Sequence, residues 1–426
     1  ILGCVPTIAL TAALWKKRGL DTNYLPLTAH FYVEEDDYWR KSNRVLATRE
    51  IIGTKTAENL NSIMECILRD YQADRLLVPR ETIIVTDNGA NMKKACRLYN
   101  WVSCAAQNVQ LALENAFGDI EKEVHRQVND ENDEAADVSN PLKVVQLLAA
   151  VKRVVQYLKK SNSISKLSKR IPQSCCTRWN SLYDELAAFS EQEKQNEEII
   201  VDRETKRLFF SIDFNLLKTL LSLLKVFKDV TQLLSPENDP TIHLVPNSKN
   251  VLLQNYSHDG EQSGSIENLK SRLYQLVEKH IQIQDIHLAA ALLWPCQRNV
   301  MTFKTEEYLK KAKTAFKELI STFRFLEKNA NDQIETTVSQ GASVPQIFRD
   351  FVSLEVTACP SRMTATEELD YYLNETFSSP GRDIVSSFAK HIRHVPVTET
   401  ASERNFSDAG KSIEGQAKTN STVARG

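Results

Sequence analysis

Short apolar runs near the start of the chain predict the strands of a β-sheet. Residues 5–14 are apolar with threonine interleaved, which is typical of a buried strand. Residues 24–33 are rich in aromatic and β-branched residues and are predicted to pair with that strand. Residues 82–86 form a third predicted strand, and Asp87 follows directly at its end. Helical spacing of apolar residues over 56–71 places a helix between the second and third strands, so this part predicts an α/β unit.

The pattern changes after residue 118. Residues 119–140 are rich in acids and are predicted to form a solvated acidic loop. Beyond them the apolar periodicity is mostly helical to about residue 326, and a polar linker is predicted over 327–343. Two further helices are predicted near the end of the chain. The expected organisation is a first core segment over 1–118, the acidic loop over 119–140, a helical insertion over 141–360 and a C-terminal segment over 361–426.

Composition limits the class of protein. A chain of 426 residues is long enough for two or more domains, and 42% hydrophobic with 25% charged residues is typical of a folded protein. The net charge of -2 excludes a globally basic nucleic-acid coat but not a local basic patch. The eight cysteines match no zinc-module spacing and are expected to be reduced thiols. No apolar stretch has the length of a membrane span, and because the chain begins with Ile1 we expect it to be part of a longer protein.

Several short blocks carry candidate chemistry and occur in a recognisable order. Residues 401–411 read ASERNFSDAGK, which resembles the C-terminal signature of the hAT transposase superfamily. Residues 85–95 read VTDNGANMKKA and resemble the second-acid block of the same family. The resemblance spans most of the chain, which is similar to the zinc finger BED domain-containing group. It implies a ribonuclease H-like α/β core interrupted by a large all-helical insertion.

The reaction of this family needs three acids that hold two divalent metal ions. By resemblance, Asp87 matches the second acid and Glu403 the third. The first block, Asp-Leu-Trp in the family, reads Ala13-Leu14-Trp15 here. The resemblance therefore implies vestigial catalytic residues, and neither a tightly bound metal nor another cofactor is expected, with Mg²⁺ or Mn²⁺ only if activity remains. From local sequence alone, Asp87 as the start of a turn and Glu403 as an exposed helical residue remain alternatives.

Two other blocks depart from the family pattern. Gln107 stands where the family has the histidine of a Cys-x-x-His block, and an amide cannot replace an imidazole as ligand or acid. Residues 293–296 read LWPC, where the family commonly has Leu-Asp-Pro-Arg. Both departures favour lost chemistry.

A basic stretch over residues 152–178 is the candidate nucleic-acid surface. It contains eight cations and no acid, which favours salt-sensitive binding to phosphates, although a solvated helix face gives the same pattern. The adjoining block resembles the family's Thr-Arg-Trp-Asn-Ser motif, which implies that its tryptophan stacks on an extruded DNA base. A core tryptophan is the alternative. The candidate DNA-binding residues are Lys152, Arg153, Lys159, Lys160, Lys166, Lys169, Arg170, Arg178 and Trp179.

The region around residue 403 matches the dimerisation region of the family, which we expect to be truncated in this chain. The candidate dimerisation residues are Val385, Phe388, Ile392, Val395 and Phe406.

The combined prediction is a catalytically degenerate hAT transposase-derived protein of the nucleus. We expect it to bind DNA, to form a homodimer or higher oligomer, and to have no membrane contact. An active cut-and-paste transposase and a protein-interaction scaffold without DNA binding remain the alternatives. A BED zinc finger, if the full protein has one, lies upstream of Ile1.

Overall fold

The computed structural model describes residues 5, 7–16, 22–35, 38–129, 142–172, 179–236, 239–257, 264–294, 305–322, 364–374 and 383–399. Contacts divide the chain into two compact units. Unit 1 comprises Ile1–Ser103, Glu237–His243 and Gln284–Gly426, and unit 2 comprises Cys104–Pro236 and Leu244–Ile283.

All strands within the described residues lie in unit 1 and form one mixed sheet. The long strand β3 pairs along its whole length with β4, and its other edge pairs first with β2 and then with β1, always antiparallel. Parallel pairing continues from β1 to β5 and from β5 to β6. The strands are β1 (Ala9–Ala12), β2 (Trp15–Lys16), β3 (Asn23–Glu35), β4 (Tyr38–Glu50), β5 (Ile83–Thr86) and β6 (Asn100–Ser103).

Helices make up most of the regular structure. They are α1 (Ala57–Asp70), α2 (Ala90–Ala95), α3 (Ala105–Asn129), α4 (Leu142–Lys160), α5 (Trp179–Glu191), α6 (Glu193–Ile199), α7 (Arg203–Phe210), α8 (Phe214–Leu234), α9 (Val245–Tyr256), α10 (Ser265–His280), α11 (Asp285–Leu292), α12 (Glu306–Thr322), α13 (Ala365–Asn374) and α14 (Asp383–Arg393). No helix in these ranges combines the length and apolar character needed to cross a membrane.

The core of unit 1 is built on the two central strands. All four residues of β1 and of β5 are buried, as expected for strands that are covered on both faces of the sheet. Helix α1 packs on β3 and β4 through buried residues at helical spacing, including Leu60, Met64 and Ile67. Its N-terminus is capped by Thr56, whose hydroxyl oxygen accepts a hydrogen bond from Asn59 N at 3.3 Å.

Unit 2 is entirely helical in the residues described, and α8 supplies much of its core. The Asp213 carboxylate caps α8 by accepting from the backbone N–H groups of Asn215 and Leu216 at 2.9 and 3.0 Å. Phe227 of α8 stacks on Tyr256 of α9 at a centroid distance of 5.2 Å. The chain is thus a mixed sheet with flanking helices joined to an all-helical unit, which confirms the α/β plus all-α class.

Two elements differ from the sequence-based expectation. The pattern assigned no element to β4, because this edge strand carries charges such as Arg40, Arg44 and Arg49 rather than an apolar alternation. The acidic loop predicted from residue 119 is wrong as far as residue 129, where α3 continues. Apolar residues at 117, 120, 124 and 128 supply the helical spacing that the acids obscure. Residues 130–140 lie outside the described ranges.

Candidate acidic site and candidate nucleic-acid surface

Ala13 and Asp87 occupy matching places at the ends of two neighbouring strands. Strands β1 and β5 are parallel, with Thr11 opposite Val85. Continuing that register by two residues sets Ala13 opposite Asp87, each the first residue after its strand. Adjacent strands lie about 4.8 Å apart, so this register brings the two positions close together at the ends of neighbouring strands. The position beside Asp87 therefore holds a methyl group that is almost completely buried.

The Asp87 side chain has a local structural role. Its Oδ1 atom accepts a hydrogen bond from the backbone N–H of Gly89 at 3.0 Å, which closes an Asx-type turn into α2. A Cβ atom at Gly89 would approach Asp87 Oδ1 to 2.9 Å, so a larger residue there would require the Asp87 carboxylate to shift. The geometry therefore agrees with the alternative, left open by the sequence, that Asp87 starts a turn.

A polar network lies at the same end of β5 and β6. Trp101 Nε1 donates to Thr86 Oγ1 at 2.9 Å, and Ser103 Oγ donates to Asn88 Oδ1 at 2.7 Å. The Lys93 ammonium group lies 4.8 Å from the centre of the Trp101 ring, which is cation–π geometry. Sequence reasoning missed these residues. Their signal was position, because they lie on β5, on β6, in the turn that follows Asp87 or, for Lys93, on α2 directly after that turn.

Gln284 attaches the start of α11 to β6. Its side-chain Oε1 accepts from Ser103 N at 3.0 Å, and its Nε2 donates to Trp101 O at 2.9 Å. The backbone N–H of Gln284 donates to His287 Nδ1 at 3.0 Å. Burial lowers the pKa of His287 to about 4, so this imidazole is neutral at pH 7.

The chemistry available beside Asp87 is limited. Burial, with a contribution from the Asp87 charge, raises the pKa of the Cys96 thiol to about 12, so this cysteine is not a nucleophile at neutral pH. Within the ranges that the structure describes, no three His, Cys, Asp or Glu side chains are grouped to hold a metal ion. Glu403 lies outside those ranges. Gln107 is half-buried in the first turn of α3, in unit 2.

The candidate DNA-binding cations belong to unit 2. Lys152 and Arg153 are exposed on α4, and Lys159 and Lys160 follow seven residues later on the same side of the helix. Seven residues is about two turns, so the two pairs are about 10.5 Å apart along the axis. Lys159 is half-buried and its Nζ lies 3.4 Å from Pro172 O. The remaining exposed cations of the same segment are Lys166, Lys169 and Arg170.

Two of the predicted DNA-binding residues lie at or directly before the start of α5 in the sequence. Trp179 is the first residue of α5, and its side chain lies outside the described part. Arg178 also lies outside it. Their roles remain predictions.

The predicted dimerisation residues are buried within unit 1. Val385, Phe388 and Ile392 lie along α14, and Val395 follows it; their exposed fractions are 3%, 0%, 0% and 0%. Phe388 meets Phe316 of α12 edge to face, with ring centroids 5.3 Å apart. These side chains therefore contribute to the packing of the unit itself, and contact with a second copy remains a prediction. Phe406 lies outside the described residues.

Comparison with known proteins gives one informative similarity. No protein-family model matches the chain. The chain is similar to the Transposable element Hobo transposase of Drosophila melanogaster, with 23% identity over 290 residues. The aligned part is 67% of this chain and 40% of the relative, so the chain spans about two-fifths of the length of the protein it matches. The similarity supports a distant relation to a hAT-like transposase.

Proposed function

We propose that the chain is a transposase-derived protein that binds DNA and no longer transfers DNA strands. The observation that carries the proposal is the register of β1 and β5, which sets Ala13 opposite Asp87. Support for the ancestry comes from the similarity to the Hobo transposase and from the ordered sequence blocks. We further propose that the sheet of unit 1 is a ribonuclease H-like core and that the helical insertion, expected over 141–360, includes the helices of unit 2 from α4 onward.

The residues at the strand ends do not fit a pair of divalent ions. Two-metal sites bridge their ions with carboxylates, and Mg²⁺ requires several oxygen ligands in near-octahedral geometry. The side chain of Ala13 offers no oxygen, and one oxygen of Asp87 accepts from Gly89 N. We therefore derive no reaction step through a metal at this site. Assignment of Glu403 as a vestigial third acid belongs to the same proposal.

We expect no cleavage or strand transfer on transposon-end DNA in the presence of Mg²⁺ or Mn²⁺. Loss of a bridging carboxylate should abolish both ion sites, because each ion depends on it. Incubation of the full chain with labelled DNA ends, followed by denaturing electrophoresis, measures this directly. The matched control is Asp87→Ala, which removes the remaining strand-end carboxylate. Metal-dependent products that vanish in Asp87→Ala would refute the proposed loss and favour an active transposase.

DNA binding is proposed to use the basic segment of unit 2. Its exposed cations lie on one side of α4 and on the turn that follows, without an acid in the segment itself. Such a surface neutralises phosphates without reading bases, so binding should be salt-dependent and tolerant of sequence. Nuclear location and self-association are carried over from the family resemblance as part of the proposal.

Neutralising Lys159, Lys160, Lys169 and Arg170 together to glutamine should flatten the salt dependence of DNA binding. Each lost phosphate contact lowers the slope of log K against log salt by about 0.9, so the four changes should remove up to about 3.6 from it. Fluorescence anisotropy with a duplex, titrated over a range of salt concentrations, gives the slope.

The control changes four lysines of unit 1 that are exposed outside the basic segment, namely Lys55, Lys310, Lys311 and Lys317. These substitutions remove a matching formal charge and should leave most of the slope in place. An equal slope in the wild type and in the basic-segment variant would assign that segment to a solvated face. That result would favour the protein-interaction scaffold.

A further inference from the structure

An acidic residue from outside the basic segment neutralises one of its cations. Glu191, the last residue of α5, accepts a hydrogen bond from Lys169 Nζ at 2.7 Å. Both side chains are more than half exposed, at 56% for Glu191 and 68% for Lys169. A phosphate approaching Lys169 therefore meets a carboxylate already in place.

The backbone at Lys169 is fixed independently of that ion pair. Gln192, which is 5% exposed, accepts from Lys169 N at 2.9 Å and from Ser168 Oγ at 3.2 Å. Gln192 Nε2 in turn donates to Ala188 O at 2.9 Å, and Gln195 Oε1 accepts from Ser168 N at 3.1 Å. Two amide side chains thus hold the main chain from which the Lys169 side chain extends.

These contacts separate the position of Lys169 from its charge. Glu191 contacts the ammonium group of Lys169, whereas Gln192 contacts its main chain. Loss of the ion pair therefore leaves the amide contacts to the main chain unchanged. A lysine on a fixed main chain pays less ordering entropy when it binds a ligand. The side chain is therefore pre-positioned, and the carboxylate is the competing anion.

We propose that Glu191 is an intramolecular counter-ion that a DNA phosphate must displace from Lys169, with Gln192 as the residue that positions Lys169 for the exchange. The proposal rests on the proposed DNA binding by the basic segment. Exchange of one anion for another at an exposed lysine involves no covalent change. The exchange reduces the net number of salt ions released on DNA binding, because the displaced Glu191 carboxylate takes up cations from solution.

The test compares the wild type with Glu191→Gln in the full chain, with a labelled duplex of arbitrary sequence as the probe. Removal of the competing carboxylate should steepen the log–log salt slope by about 0.9 and tighten binding roughly tenfold at about 50 mM salt. Glu307→Gln in α12 is the matched control, because Glu307 also forms an exposed pair with a lysine, Lys311. It removes the same charge from unit 1 and should change the slope much less.

The outcomes separate the two claims. Salt-dependent binding by the wild type, with a steeper slope only in Glu191→Gln, supports the counter-ion. Salt-dependent binding with equal slopes in the wild type and Glu191→Gln overturns the counter-ion and leaves DNA binding standing. Absence of salt-dependent binding in all three proteins overturns the proposed function together with it. The double variant Glu191→Gln,Gln192→Ala should lose the tighter binding gained in Glu191→Gln, because the main chain at Lys169 is then no longer held. Tighter binding that persists in the double variant would overturn the role of Gln192.

Discussion

Lowering the pH from 6.5 to 5 is expected to reduce the unfolding free energy of unit 1 by several kcal/mol. The cause is the buried histidines of unit 1, each with a pKa lowered by burial: His243 and His287, and a group of three, His30 of β3, His391 of α14 and His394 after it. The rings of His391 and His394 meet edge to face with centroids 5.6 Å apart. His30 Nε2 and Thr11 Oγ1 share a hydrogen bond of 3.0 Å. Tyr32 of β3 meets His394 edge to face with ring centroids 6.0 Å apart, so this group lies where the C-terminal helix packs on the sheet.

The surroundings of these imidazoles disfavour their charged form. Burial lowers the pKa of His30 well below its usual value, and the Lys41 charge adds to the effect. Burial likewise lowers the pKa of His391 far below the ordinary range, although a backbone hydrogen bond at Glu81 opposes it. For His394, burial brings the pKa to about 3, with Lys41 contributing and a backbone hydrogen bond at Lys390 opposing.

The direction of the pH effect follows from proton binding. An unfolded histidine titrates near 6.5, so between 6.5 and the lowered native pKa the unfolded chain binds more protons than the folded one. Stability is therefore fully present above pH 6.5 and is lost as the pH falls below it. The unfolded imidazole is half protonated at pH 6.5 and almost fully protonated at pH 5, so each neutral histidine contributes about 1.6 kcal/mol over this range and three of them give about 5 kcal/mol. That is comparable to the whole stability of a typical domain.

Urea unfolding followed by tryptophan fluorescence between pH 5 and pH 8 measures this loss. Four of the five tryptophans, Trp15, Trp39, Trp101 and Trp294, belong to unit 1, so the signal reports mainly on that unit. His394→Gln should lower the slope of unfolding free energy against pH by about one proton, whatever its effect on absolute stability. His280→Gln is the control, because His280 lies half-buried in unit 2. A flat pH profile in the wild type would contradict the buried neutral cluster.

The sequence predicts local features of unit 1 well and long-range contacts poorly. The apolar runs at residues 5–14 and 82–86 mark β1 and β5, and their ends place Ala13 and Asp87 on neighbouring strands. The histidine cluster joins residues 30 and 391–394, which no local pattern connects. Such groups form when segments distant in sequence pack together, and the periodicity of one segment carries no information about that packing.

The same limit applies to charge. An acid-free stretch over residues 152–178 was visible, yet Glu191 reaches Lys169 from the end of α5. Edge strand β4 was missed because its charged residues mask the alternation expected of a half-buried strand. The candidate dimerisation residues show another limit of the sequence pattern. Apolar spacing in α14 identifies a buried face, but does not say whether the same chain or a second copy buries it.

Phe388→Ala is expected to lower the unfolding free energy of unit 1 by about 3 to 5 kcal/mol, because it empties a fully buried aromatic site. The lost ring contacts Phe316 edge to face, so the interface between α12 and α14 loses an aromatic pair as well. Urea unfolding at two protein concentrations about tenfold apart is the measurement, since coupling to dimerisation makes stability depend on concentration.

Phe210→Ala is the matched control for that substitution. Phe210 ends α7 in unit 2 with 62% of its surface exposed, so the same change there should cost less than about 1 kcal/mol. A loss in Phe388→Ala that is equal at both concentrations assigns the residue to the core of its own chain. A loss confined to the higher concentration would instead assign it to contact between copies, because only an associated state would then depend on the ring. The predicted dimerisation face would in that case include a side chain that this fold already buries.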